Sequence, residues 1–303
     1  MEYTRTLERS FSIEDGALLR VANRRGELVV RGEERDDIAV TAQIRVNAMT
    51  RGEADDRFGV FELPMSQSGR TVEVGPPRYD EPHPTVLFGI SLSRFMKGPR
   101  LDLVIRVPRT IEVEAEASSG LIRVEGIQGR CRIAGKRTKI EATDLEGEVR
   151  IEGQTGRVKV RRVRGSLEVE VRSGKISVKE IVGPVRLHTS TGEVRVRDVQ
   201  GDCTIETRAG KLSVEDIEGT MKLSTTIGSV TYRGRIAHDV DLTVRTGSVQ
   251  LAVTQDSAFF IDAESRTGSV SADLPVNFLE EPPADAATVR IRVGTGSIQI
   301  VPA

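Results

Sequence analysis

The sequence predicts an all-β chain: a single-stranded β-helix, or β-solenoid, of 18-residue coils with two main strands each. Three observations carry this expectation. Glycine recurs every nine residues, at Gly120, Gly129, Gly147, Gly156, Gly165, Gly174, Gly183, Gly192, Gly201, Gly210, Gly219 and Gly228, and misses only the slot at Thr138. Apolar residues sit two and four places after each glycine, as in Gly192-Glu-Val-Arg-Val and Gly210-Lys-Leu-Ser-Val, which is the in/out alternation of strands. Aromatic residues make up only 4% of the chain and tryptophan is absent, whereas Val, Ile and Leu dominate the inward positions. That composition suits thin coils in which each inward side chain stacks on its equivalent one coil away.

The nine-residue units are of two alternating kinds. The first has apolar residues at +2, +4 and +7 from its glycine, as in Val158, Val160, Val163 and Val194, Val196, Val199. The second keeps +2 and +4, as in Leu167, Val169 and Cys203, Ile205, but drops the apolar residue at +7 and places Thr189, Thr207 and Thr225 at +6. Six such pairs fill 120–227, and at a strand spacing of ~4.8 Å they rise roughly 29 Å. The glycines serve corners that reverse the chain within one or two residues. Asp144, Asp198 and Asp216, each three places before a glycine, are expected to hydrogen-bond turn amides. Neighbouring coils offer Arg162 and Glu180 in that column, so no metal site is expected, and the Gly-Gly-x-Gly-x-Asp calcium pattern is absent.

The flanks read as coils with irregular excursions. Residues 1–119 form irregular N-terminal coils and a cap, 120–227 the regular solenoid, and 228–303 C-terminal coils with longer loops, in one continuous domain. The main excursions are 47–69 and 75–100, and long helices are not evident. The second excursion contains Val86-Leu-Phe-Gly-Ile-Ser-Leu-Ser-Arg-Phe-Met96, apolar enough either to cap the stack or to meet a partner. Phe88, Phe95 and Met96 are its candidate contact residues. Near the other end, Thr-Gly-Ser recurs from Thr246, Thr267 and Thr295. No lysine follows it and no helix begins there, so it marks corners and not a phosphate loop.

Forty-four basic and 45 acidic residues give a formal net charge of −1, which exerts no global pull toward nucleic acid or an anionic membrane. Locally the chain is basic at Arg157, Lys159, Arg161, Arg162 and Arg164, with Lys179, Arg195 and Arg197 on nearby coils. Lys159, Arg161, Lys179 and Arg197 are therefore candidates for a stripe that meets an anionic polymer or a protein. Glu168, Glu170, Glu180 and Asp198 interrupt the stripe, as on any solvated sheet. Cys131 and Cys203 occupy the same inward slot four coils apart, too far for a disulfide, and read as small core residues compatible with a reducing compartment. The first residues lack an apolar leader and no run is long enough to span a bilayer. A cytoplasmic location is expected, with attachment to the envelope through a partner as the alternative.

Leu101-Asp-Leu-Val-Ile-Arg-Val-Pro108, Ser118-Ser-Gly120-Leu-Ile-Arg-Val and Ala272-Asp-Leu-Pro275 resemble the opening strand, repeat unit and closing turn of a bacterial putative-adhesin family, a β-strand-repeat domain of unknown function. The resemblance spans nearly the whole chain. It implies a right-handed β-helix, with some relatives associated with envelope stress, and it supplies no catalytic residues.

Three function classes follow. The leading one is a non-enzymatic scaffold or binding module that needs no cofactor, since the even coils lack the clustered polar residues of an active site. The second is a polysaccharide-active enzyme, which needs paired carboxylates or a base set in a groove. Here the carboxylates are scattered among basic neighbours, and His83, His188 and His238 join no catalytic arrangement. The third is a bactofilin-like filament stacked end to end, for which Val289 to Val301 is the candidate open edge.

Overall fold

The computed structural model describes residues 1–79, 99–254, 259–273 and 287–303, together with the backbone of two short strands at 86–87 and 90–91. Phe88, Phe95 and Met96 lie outside the described residues. The chain divides into two compact units, Met1–Glu141 and Ala142–Ala303.

Unit 1 contains β1 (Glu2–Ser12), β2 (Leu18–Glu33), β3 (Asp37–Asn47), α1 (Arg51–Gly59), β4 (Phe61–Glu62), β5 (Met65–Ser68), β6 (Thr71–Val74), β7 (Arg78–Tyr79), β8 (Val86–Leu87), β9 (Ile90–Ser91), β10 (Arg100–Pro108) and β11 (Glu112–Glu125). The first part of β12 (Cys131–Glu146) completes it. β2 is central, with Leu28 in parallel register with Leu103 of β10 on one edge and Ile122 of β11 on the other. β10 in turn runs antiparallel to β3, and β3 antiparallel to β1. These two antiparallel pairings, between strands that are not consecutive in the chain, replace the parallel stack with an antiparallel end. The outer strand β1 carries Glu2, Arg5, Glu8 and Arg9, charges that discourage edge pairing.

The excursion at 47–69 holds a helix that apolar periodicity does not reveal. Its start is set by a capping box: Thr50 Oγ1 accepts from the Glu53 amide at 3.2 Å, and Glu53 accepts from the Met49 amide at 2.8 Å. Ala54 and Phe58 are its buried residues. Where β10 meets β2 and β3, Asp102 is buried but well partnered. It receives Arg45 at 3.1 Å, Arg100 at 3.0 Å and the Glu27 amide at 2.8 Å.

Unit 2 begins with the end of β12 and continues with β13 (Val149–Arg164), β14 (Leu167–Val182), β15 (Val185–Gln200), β16 (Cys203–Glu218), β17 (Met221–Gly234), β18 (Val240–Val253), β19 (Phe259–Thr267), β20 (Val270–Ala272) and β21 (Ala287–Pro302). From β13 to β17 each strand lies parallel on the next with an offset of 18 residues, as in Val149↔Leu167↔Val185↔Cys203↔Met221. The inward column Val178↔Val196↔Val214 is superposed as the alternation requires, and all three side chains are buried.

Each coil in this stretch has two long sides and one short one. The first bend falls at the glycine column Gly156, Gly174, Gly192, Gly210 and Gly228. The second falls six residues later at Asp144, Arg162, Glu180, Asp198 and Asp216, all left-handed with φ between 52° and 60°. Beyond it lies the short side, with Val163, Ile181, Val199 and Ile217 inward, which accounts for the +7 apolar residue of the first unit kind. The column of carboxylates thus has a backbone role, since Asp adopts the left-handed region more readily than most residues. Side chains in this column pair between coils: Arg162 binds Asp144 at 2.5 and 2.9 Å and holds its carboxyl below the usual range. At the junction between coils the ladder continues, with the Gly183 amide donating to Gln200 O at 2.8 Å.

Inside the first bend runs the threonine column Thr189↔Thr207↔Thr225, with Val171 on one side and Val244 on the other. The hydroxyls of Thr189 and Thr207 are buried without a hydrogen-bond partner. An unpaired buried hydroxyl costs desolvation and returns nothing. Thr189→Val is therefore expected to raise stability by up to ~1 kcal/mol. Urea unfolding checks this; a loss of more than that amount would show that the hydroxyl has a partner.

After Gly228 the offset becomes 19, as in Met221↔Val240, and the extra residue is taken up in the connection between β17 and β18. Tyr232 closes this coil from inside, its hydroxyl donating to Arg235 O at 2.7 Å, and burial pushes that phenol up to about 12.

The end of unit 2 departs from the sequence reading. Val289 to Val301 is not an open edge. β21 lies between β18 and β19, pairing Val289 with Val240 on one side and with Ile261 on the other, and β20 extends the second ladder. The reason is burial. β21 is a continuous strand with Ala287, Val289, Ile291, Val293, Ile298 and Ile300 all inward, whereas β20 is exposed throughout. The strand with more apolar surface to hide takes the inner slot. As a result the three Thr-Gly-Ser corners stack directly, Thr246↔Thr295↔Thr267.

Candidate functional site

The basic stripe lies on the second long side of the first coils of unit 2. There Val158 and Val160 point inward, and the alternation turns Arg157, Lys159 and Arg161 outward. The ladder then places Lys179 on Arg161, Arg197 on Lys179 and Glu215 on Arg197. Lys159 is followed by Ser177, Arg195 and Ser213. The structure therefore brings Lys159, Arg161, Lys179 and Arg197 together on one outer face.

Their electrostatics are uneven along the column. Lys179 meets Glu180 at 2.7 Å and Asp198 at 3.7 Å, and Lys179 is the main cause of the lowered Glu180 carboxyl. Arg197 meets Glu215 at 2.6 Å. Arg195 and Lys175 both meet Glu193, at 2.5 and 2.8 Å. Among the described residues Lys159 and Arg161 make no close salt bridge, although the charge of Arg161 helps to lower the Glu180 carboxyl, so the least neutralised charge lies on β13. Such a face can attract an anionic group by charge.

Sequence reading passed over a second set of cations. The +7 position of the second unit kind, where the apolar residue is dropped, holds Arg172 and Arg208 on alternate coils, and the ladder continues the column to Arg245 and Arg266. The signal was the dropped apolar residue itself, visible once the chain is read at a period of 36.

Little else in the described residues suggests chemistry. Both cysteines are free and buried, and burial pushes their thiols up to about 12, so neither is a ready nucleophile or ligand. His188 is exposed beside Glu206 at 3.4 Å. Among the described residues no group of three or more His, Cys, Asp or Glu side chains is placed to hold a metal ion. Among them, too, no helix is long and apolar enough to cross a membrane.

Comparison with known proteins points to a family and not to an activity. A search of curated proteins returns no match. Solved structures that align along the chain include a putative lipid binding protein from Parabacteroides distasonis, at 12% identity and a TM-score of 0.35, covering 98% of this chain and 96% of that one. A putative adhesin from Bacteroides fragilis aligns at 11% identity and a TM-score of 0.33, covering 98% and 97%. A putative cell adhesion protein from Clostridium sporogenes aligns at 13% identity and a TM-score of 0.22, covering 99% and 100%. A family model matches residues 19–288, nearly the whole run of strands from β2 to the start of β21, and by that match the chain belongs to the Toastrack DUF4097 family.

Proposed function

We propose that this protein is a non-enzymatic β-solenoid scaffold that binds a protein or polymer partner through its outer β-surface. The observation that carries this reading is the constant 18-residue offset from β13 to β17, which turns every outward position into a straight column of side chains. A surface of that kind offers many weak contacts in a line, the arrangement used by other repeat proteins for extended partners. The Lys159–Arg161 end of the basic face is the first contact surface under this reading. Buried, unpaired thiols fit work in the cytoplasm, or at the envelope by way of an anchored partner. Self-assembly by end-to-end stacking would have to use β19 and β20, since β21 is paired on both edges.

The test compares wild type with K159E/R161E in affinity capture from native lysate. The reading expects a partner that wild type retains at low salt, that rising salt releases, and that the variant does not retain. Identical capture by both proteins at every salt concentration would contradict it.

A further inference from the structure

The corner between the two long sides of each coil in unit 2 carries arginine on every second coil. Arg172 and Arg208 are separated by Ser190, Arg208 and Arg245 by Thr226, and Arg245 and Arg266 by Gly294. Each of these corner residues sits between two paired ladder positions, so the column is fixed by backbone register: Thr207↔Thr225↔Val244↔Val293↔Ser265 on one side and Ala209↔Ile227↔Thr246↔Thr295↔Thr267 on the other. Successive arginines are two strand spacings apart, about 9.6 Å. All four are exposed. Among the described residues none of them has a hydrogen-bond or ion-pair partner, in contrast to Arg150, Arg162, Arg195, Arg197 and Arg292 of the same unit.

Acidic residues stand close by and limit what can bind. Glu170, Glu206 and Glu264 each lie two residues before an arginine of the column. Among the described residues none of the three forms a salt bridge with the arginine beside it; Glu206 faces His188 at 3.4 Å and Glu264 faces Arg292 at 3.5 Å. A densely charged polyanion such as duplex nucleic acid, with a charge about every 1.7 Å along its axis, would meet these carboxylates as often as the guanidiniums. A sparsely charged chain in step with the arginines would not. Between the arginines the corner offers hydroxyl residues (Ser190, Thr191, Thr226, Thr246 and Thr295), which suit sugar hydroxyls, and one exposed apolar side chain, Ile227, which suits the apolar face of a sugar ring.

We infer that the Arg172–Arg208–Arg245–Arg266 column binds an extended acidic polysaccharide with one anionic group on alternate sugars. Two β-linked hexopyranoses in an extended chain span a length close to two coils, so each carboxylate meets one guanidinium while the neutral sugar between lies over Ser190, Thr226 or Gly294. Arginine suits this because its planar fork pairs bidentately with a carboxylate. The inference rests on the binding-scaffold reading above and assigns it a ligand class and a different surface.

The test titrates full-length protein with hyaluronate oligosaccharides of defined length, in which glucuronate alternates with N-acetylglucosamine. Wild-type affinity should increase with oligosaccharide length until the chain spans the four arginines, roughly 29 Å, and should fall as salt rises. R208A/R245A should weaken binding at least tenfold with an unchanged thermal melt, while R186A/K222A, which removes two exposed cations that lie outside both the corner column and the basic stripe, should bind as wild type does. Equal binding by R208A/R245A and wild type would overturn the inference, as would equal binding of uncharged dextran. Tighter binding of duplex DNA or inorganic polyphosphate than of hyaluronate would also overturn it. Loss of hyaluronate binding in K159E/R161E alone would overturn this assignment while sustaining the broader reading of an outer binding surface.

Discussion

Gly192→Val is expected to abolish the native fold of unit 2. At Gly192 φ is +152°, a region that L side chains rarely adopt, which alone costs of order 1–3 kcal/mol. A Cβ there would also collide with the carbonyl oxygen of Gly174, one coil away. The same collision recurs at Gly174, Gly210, Gly228, Gly247 and Gly296, so the column is a stack of backbones in which no member has room to shift. Together the two effects place the loss above ~3 kcal/mol, in the range that marks a definite structural fault. Gly52→Ala is the control, because a Cβ added there meets nothing within 4 Å and Gly52 lies in helix α1. It should leave stability unchanged or raise it by up to ~1 kcal/mol. Circular dichroism melts decide the matter; a Gly192→Val protein that melts within a few degrees of wild type would show that the glycine column is not held by steric contact.

Val196→Asp should be comparably damaging, for a different reason. Val196 is 1% exposed and lies between Val178 and Val214 in the inward column. A carboxylate there has no cation to pair with and no water to solvate it. Burying such a group without a partner costs several kcal/mol, whether it stays charged or takes up a proton. The expected result is aggregation on expression, or a loss of at least ~3 kcal/mol in urea. Its neighbour Arg197 faces outward and pairs with Glu215 at 2.6 Å, the two side chains being 52% and 30% exposed. Arg197→Ala should therefore change stability by under ~0.5 kcal/mol. If Arg197→Ala proved the more damaging of the two, the inward and outward assignments along the strand would be reversed.

The repeating part of the fold was legible because one physical rule is applied there with a single lapse, at Thr138. A side-chain period of two sets which residues face inward, and glycine corners recurring at 18 residues set which residues superpose, so Val178, Val196 and Val214 fall in one column. The slot taken by β21 was not legible, because Thr246, Thr267 and Thr295 begin equivalent corners and the sequence pattern does not rank them in space. That ranking comes from how much apolar surface each strand can hide, a property of the packed unit. Helix α1 escaped notice because a single capping box and two buried residues, Ala54 and Phe58, make no periodic signal. Of the candidate binding residues, Lys159, Arg161, Lys179 and Arg197 followed from alternation and coil period together. The arginine corner did not, because an unpaired corner residue has no alternation to report which way it faces.

The central claim is that successive 18-residue segments of unit 2 lie directly on one another. Spin labels placed at outward positions of one column test it most directly: Ser177 paired in turn with Arg195, Ser213 and Thr231, each replaced by cysteine, the native thiols being buried. The account predicts distances that lengthen in even steps of about 4.8 Å per coil. Distances that bear no relation to the number of intervening coils would contradict it.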